Sequence, residues 1–196
     1  MKRPCIIEFS GLPNSGKTTL LHRVNSLCES EHINALFVQE PAEILPSEIP
    51  KGSIAQNLWI TLETLQRNLE SIYQNDADCI LLDRGFYNQL FWATMYSEKD
   101  PRYSDFVINF MHELDEMYNI KPDYLYVVDV DVTEAIRRRM ANGGNITFSK
   151  KDFLISYKAK FQEFYEKINP RFYIDTTHLT KDQVAYSAFE QIKKIM

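Results

Sequence analysis

The stretch Gly11-Leu12-Pro13-Asn14-Ser15-Gly16-Lys17-Thr18 satisfies the pattern G-x-x-x-x-G-K-[ST] in full. It lies between an apolar run, Cys5 to Phe9, that reads as a buried strand, and a helix-like stretch that opens Thr19-Leu20-Leu21. A strand that turns through such a loop into a helix points several backbone N–H groups and the positive helix end at one place, which suits a phosphate. Gly11, Asn14, Ser15, Gly16, Lys17, Thr18 and Thr19 are therefore the candidate nucleotide-binding residues. Lys17 brings a point charge to the β- and γ-phosphates, and Thr18 offers a hydroxyl to Mg2+.

Spaced along the chain are further runs of strand character, at Ala35 to Val38, Cys79 to Leu82, Tyr124 to Val130 and Phe172 to Ile174. Helix-length segments separate them, and that alternation predicts a parallel sheet with helices on both faces. Ile54 to Tyr73 carries Leu58, Leu62, Leu65, Leu69 and Ile72 at helical spacing, and Asp100-Pro101 splits two further helices. Thr180-Lys181-Asp182-Gln183 has the form of a capping box. The segment Pro41 to Gly52 reads as an extended loop. With 196 residues and 44% hydrophobic content the chain suffices for one domain, 1–196.

Net charge narrows the partners. At -5 the chain does not suit wrapping a nucleic acid, which draws its affinity from neutralised phosphates. Cys5, Cys28 and Cys79 lack zinc spacing and read as buried residues of a reducing cytosol. No run approaches the roughly 18 apolar residues of a membrane span. A cytoplasmic protein without a membrane partner is the expectation, and a homodimer stays open.

Chemistry-bearing residues gather at the predicted strand tips, where open α/β sheets bind ligands. Asp83-Arg84 ends the third strand; Asp83 can hold Mg2+ and Arg84 can clamp an anionic acceptor. Glu40-Pro41 ends the second, with Pro41 biasing Glu40 away from helix, so its carboxylate can take a proton from an attacking hydroxyl. After the fourth strand come Arg137, Arg138 and Arg139. Successive helical positions lie about 100° apart, so one or two of them point at phosphates, from a short lid at about 137–151. Asn57, Trp59, Gln66 and Arg67, with Phe86, Tyr87 and Trp92 as another wall, have the amide, aromatic and cationic groups that hold a base.

In order, Gly11 to Thr18, Glu40-Pro41, Asp83-Arg84, Pro122 to Asp131, Arg137 to Asn145 and Tyr173-Ile174-Asp175-Thr176 resemble the thymidylate kinase and deoxynucleoside kinase superfamily over nearly the whole length. The resemblance implies a three-layer P-loop NTPase sandwich, its five-stranded parallel sheet ordered 2-3-1-4-5. It also implies ATP with Mg2+ as donor and a small nucleoside or nucleotide as acceptor. Thymidylate kinases carry Arg-Glu-Pro and Asp-Arg-Tyr where this chain has Gln39-Glu40-Pro41 and Asp83-Arg84-Gly85. Deoxynucleoside kinases share the Glu-Pro, its Glu acting as base, but carry Glu-Arg-Ser at the third strand. The sequence thus predicts transfer of the γ-phosphoryl group to a nucleoside or its monophosphate. A P-loop ATPase, a nucleotide-dependent switch, and a kinase of another hydroxyl compound are the rival readings; a GTPase is disfavoured because Asn-Lys-x-Asp is missing.

Overall fold

Strand β1 (Cys5–Gly11) is apolar at Cys5, Ile6, Ile7 and Phe9, interrupted by Glu8 and Ser10, and buried along most of its length, as a strand covered on both faces must be. In a computed structural model describing residues 3–73, 76–144 and 148–196 (side chains of 148–150 aside) it is the central member of a five-stranded parallel sheet ordered β2-β3-β1-β4-β5. The other strands are β2 (Ala35–Val38), β3 (Cys79–Asp83), β4 (Tyr124–Asp129) and β5 (Arg171–Asp175). Every strand expected from the sequence is present, with ends moved by one or two residues, and the order is the expected one.

Two compact units divide the chain: Met1–Glu8 with Asn34–Asp123, and Phe9–Ile33 with Tyr124–Met196. In the first, β2 and β3 pair in parallel from Ala35 opposite Cys79 to Val38 opposite Leu82. Ile6, Ile80 and Leu82 form a core there, against which Leu36, Val38 and Ile72 pack. Its helices are α2 (Ile54–Tyr73), α3 (Phe86–Tyr96) and α4 (Pro101–Tyr118), and a 3-10 turn spans Pro41–Ile44. Asp100, the residue before α4, accepts from the N–H of Arg102 and Tyr103, a cap worth about 1 kcal/mol. Asp123 accepts from Arg3 and from the N–H of Ile6, both at 2.8 Å, and so fixes where β1 begins.

The second unit contains α1 (Lys17–Ser30), α5 (Val132–Ala141), α6 (Phe148–Tyr165) and α7 (Lys181–Ile195) with β4 and β5. Phe9 stacks on Tyr126 at 4.7 Å, and Tyr126 meets Phe172 at 4.9 Å. Helix α6 follows the Asn142-Gly143-Gly144 turn in the chain. It lays Leu154, Tyr157, Phe161 and Tyr165 inward at intervals of three and four, the spacing of one helical face. The capping box at Thr180 forms as expected, with both reciprocal bonds to Gln183. The stretch expected as a lid, 137–151, covers the end of α5, the Asn142 to Gly144 turn and the start of α6; its residues 145–147, including Asn145, lie outside the described ones.

Candidate functional site

In the second unit β1 ends at Gly11, where a Cβ would meet the Val128 carbonyl oxygen at 2.6 Å and Ser15 Oγ at 2.7 Å. Only glycine permits that approach. Gly16 caps α1 with φ +88, the left-handed region glycine enters at no steric cost, and Asn14 is also left-handed. The curled loop leaves Asn14 Nδ2 and Ser15 Oγ buried without a hydrogen-bond partner among the described residues, although buried polar atoms are seldom left so. Atoms of this kind fit a site completed by phosphate oxygens. Lys17, the first residue of α1, is buried, Thr18 is half-buried and Thr19 is exposed.

Arg138 braces this loop. Its Nη1 donates to the Ser15 carbonyl at 3.1 Å and to Thr176 Oγ1 at 3.0 Å, and its Nη2 donates to the Thr176 carbonyl at 2.6 Å. Thr176 itself donates to the Ser15 carbonyl at 2.8 Å. Glu134 holds both neighbouring arginines, Arg137 at 2.6 Å and Arg138 at 2.8 Å. Hydrogen bonds from Arg137 and then Arg138 bring the Glu134 carboxyl down to about 2, so the cluster stays charged across the neutral range and is lost only as pH falls toward that value. Arg137 is largely exposed, and Arg139 is half-buried beside the Gly144 backbone. A cavity of about 480 Å³ is lined by Asn14, Gly16, Arg137, Arg138, His178 and Leu179, among others. Beside the β4 tip, Asp129 accepts from Gln162 and Tyr173 and pairs with Lys158 at 3.2 Å.

In the first unit β3 delivers Asp83, which is buried, and then Arg84 in the left-handed region at φ +61. Arg84 Nη1 donates to Glu40 Oε1 at 2.6 Å, in an ion pair whose side chains are only 16% and 17% exposed. Glu40 is extended, at φ -59 and ψ 125, as the following Pro41 predicts. Arg67 reaches the same strand tip by donating to the Gln39 carbonyl at 3.3 Å. Gln66 does not, being exposed and bonded to Glu70. Trp59 is half-buried on α2. Phe86 is fully buried and meets Tyr87 edge-on at 5.8 Å, so it serves packing, and Tyr87 lies beneath the Lys121 ammonium at 5.8 Å.

Two features escaped the sequence reading. The buried face of α2 is polar: Thr61 donates to Gln89 Oε1 at 3.3 Å, Gln89 donates to Thr64 at 3.2 Å, and Tyr103 donates to Asn57. Apolar periodicity conceals such a face. The other is Glu8, fully buried within β1; a lone acid inside an apolar strand was the available signal, because a buried carboxylate must find donors.

A thymidylate kinase family model matches residues 9–187. The chain is 25% identical to a probable thymidylate kinase of Methanocaldococcus jannaschii over 196 residues, covering 96% of each chain. To a probable thymidylate kinase of Sulfurisphaera tokodaii it is 25% identical, covering 85% of each. Its fold is similar to that of a deoxyadenosine kinase from M. mycoides solved with dCMP and dCDP, at a TM-score of 0.69 and 15% identity over 96% of this chain and 99% of that one. A nucleotide-binding phosphotransferase of the P-loop class, a nucleoside or nucleotide kinase, is what this fold and these matches define. Within that class the chain belongs to the thymidylate kinase family, and use of ATP follows from that membership.

Proposed function

We propose that this kinase transfers the γ-phosphoryl group of ATP to a hydroxyl of a nucleoside. The observation that carries the reading is the Glu40–Arg84 ion pair at 2.6 Å. A phosphate monoester brings about two negative charges at neutral pH, and Glu40 would repel them. Thymidylate kinases, which share the Glu and Arg of this pair, resemble one another in a further arginine before the Glu, where this chain has the neutral Gln39. A neutral hydroxyl meets no such conflict: Glu40 accepts its proton, and Arg84 orients Glu40 and steadies the charge that develops. Lys17 and the phosphate-loop N–H groups hold the donor phosphates. The Thr18 hydroxyl would hold a Mg2+ ion, which would neutralise charge on those phosphates, and Asp83 keeps the metal-supporting role that its strand-tip position in the sequence suggests. Among the described residues no group of three His, Cys, Asp or Glu could hold a metal ion. A small acceptor, no membrane or nucleic-acid partner and a cytoplasmic location complete the proposal; no helix among the described residues is long and apolar enough to cross a membrane.

The second reading, a nucleoside monophosphate acceptor, draws on the names of the curated relatives, which are probable thymidylate kinases. A panel of nucleosides and nucleoside monophosphates, assayed with ATP and Mg2+ for ADP release above the acceptor-free rate, separates the two. Stimulation by nucleosides is expected, and stimulation by monophosphates alone would overturn the hydroxyl reading.

Of the three arginines on α5, Arg138 spends its donors on Glu134, on Thr176 and on the Ser15 carbonyl of the phosphate loop, to which Thr176 also donates. Arg138→Ala is therefore expected to raise the KM for ATP about 10-fold, the scale of one or two hydrogen bonds from a charged group. A transition-state cation would instead act on kcat, and Arg137 and Arg139 are the candidates. An unchanged KM in Arg138→Ala would remove its role as a brace.

A further inference from the structure

We propose that Glu8, a carboxylate buried inside β1, is a positioning residue that sets the aim of Arg84 by clamping the turn between β3 and α3. The inference rests on the reading of Arg84 as an acceptor-facing group.

Glu8 Oε2 accepts from the N–H of Tyr87 at 2.9 Å and Glu8 Oε1 accepts from the N–H of Asn88 at 2.8 Å. These are donors of the first turn of α3, where a helix has no internal partners for its N–H groups and carries its positive end. The residue that should cap them, Gly85, has no side chain with which to do so. Nor could it have one without displacing its surroundings: a Cβ on Gly85 would stand 2.9 Å from Leu82 Cδ1 and 3.0 Å from Glu8 Oε2. The cap is thus supplied from a neighbouring strand, and the chain between β3 and α3 is pressed against it.

Arg84 is the residue caught between these fixed points. Its φ of +61 is one that a non-glycine residue holds only when its surroundings dictate it. On one side the register of β3 fixes Asp83; on the other the Glu8 clamp fixes Tyr87 and Asn88. From the backbone so held, the Arg84 side chain reaches Glu40 at 2.6 Å. A buried carboxylate is costly unless fully bonded, whereas an apolar residue would suffice for packing at this point. A charged clamp grips harder than a neutral one, since bonds to an ionised acceptor are about twice as strong. Burial first, and then the charges of Glu8 and Asp115, push the Tyr87 phenol up to about 12.

The test is a double-mutant cycle on Glu8→Gln and Arg84→Met, read as separate KM and kcat values for acceptor and for ATP. Glu8→Gln is expected to lower kcat/KM for the acceptor by about 10-fold or more, the effect of a small misplacement, while the KM for ATP moves by less than about 2-fold. In the Arg84→Met background Glu8→Gln should add less than about 2-fold, because groups acting through one another are not additive. Gly85→Ala, which displaces the carboxylate rather than deleting it, should reproduce the acceptor-specific loss, and it carries the same cycle if Glu8→Gln does not fold. Full additivity, or an equal loss toward ATP and acceptor, would overturn the proposal. Normal acceptor kinetics in Arg84→Met alone would instead overturn the reading of Arg84 on which it rests.

Discussion

Lys17→Ala is expected to reduce acceptor-stimulated phosphoryl transfer by roughly 10²- to 10³-fold, the scale on which one preorganised group stabilises developing charge. Lys17 begins α1 and is buried in the loop, so its ammonium is held in place before ATP arrives and loses little on reorganising. The transferring phosphoryl group passes through a loose transition state with its charge spread over peripheral oxygens, and little covalent work is left to the protein. Removing a fixed cation there should cost far more than removing a surface one. Because the loop conformation is set by Gly11, Gly16 and the Arg138 brace, the far-UV circular dichroism of the variant should match wild type. A folded variant that kept most of its turnover would contradict the assignment of the donor site.

Glu40→Gln and Arg84→Met should then separate the two acceptor readings by the parameter each one changes. With a nucleoside acceptor the attacking oxygen carries a proton, so Glu40→Gln should lower kcat on the order of 10²-fold or more, the usual contribution of a general base. It should leave the acceptor's KM within a few-fold, because glutamine keeps the shape and one acceptor oxygen for Arg84. With a monophosphate acceptor the attacking oxygens are already ionised. The larger loss should then come from Arg84→Met as a raised acceptor KM, through the removal of a charge-assisted clamp. Normal kinetics in both variants would mean that neither residue faces the acceptor.

What the sequence revealed of this fold and what it hid follow from how locally each feature is specified. The five strands, the phosphate loop, the helix break at Asp100-Pro101 and the Thr180 capping box depend on residues within a few positions of one another, and each was legible. The pairing of Glu40 with Arg84 was anticipated only as two strand tips, since the 44 residues between them carry no local signal of the bond. Arg138 could not be told from Arg137 and Arg139 by spacing alone; it is distinguished by Ser15 and Thr176, which come from distant parts of the chain. Phe86 and Tyr87 looked alike as aromatic walls, yet Phe86 is fully buried while Tyr87 keeps a little exposure. Glu8 is hidden for the same reason: within an apolar run it fits the strand pattern, and its donors, the N–H groups of Tyr87 and Asn88, lie 79 and 80 residues along the chain.

ATP labelled in its γ-phosphoryl group, incubated with Mg2+, the kinase and a nucleoside identified by the acceptor panel, tests the central claim most directly by where the label goes. Label recovered in the nucleoside monophosphate, in step with ADP, and lost together with kcat in Glu40→Gln, is the predicted result. Label that appears only in a diphosphate when a monophosphate is supplied, or only in inorganic phosphate whatever the acceptor, would contradict transfer to a nucleoside hydroxyl.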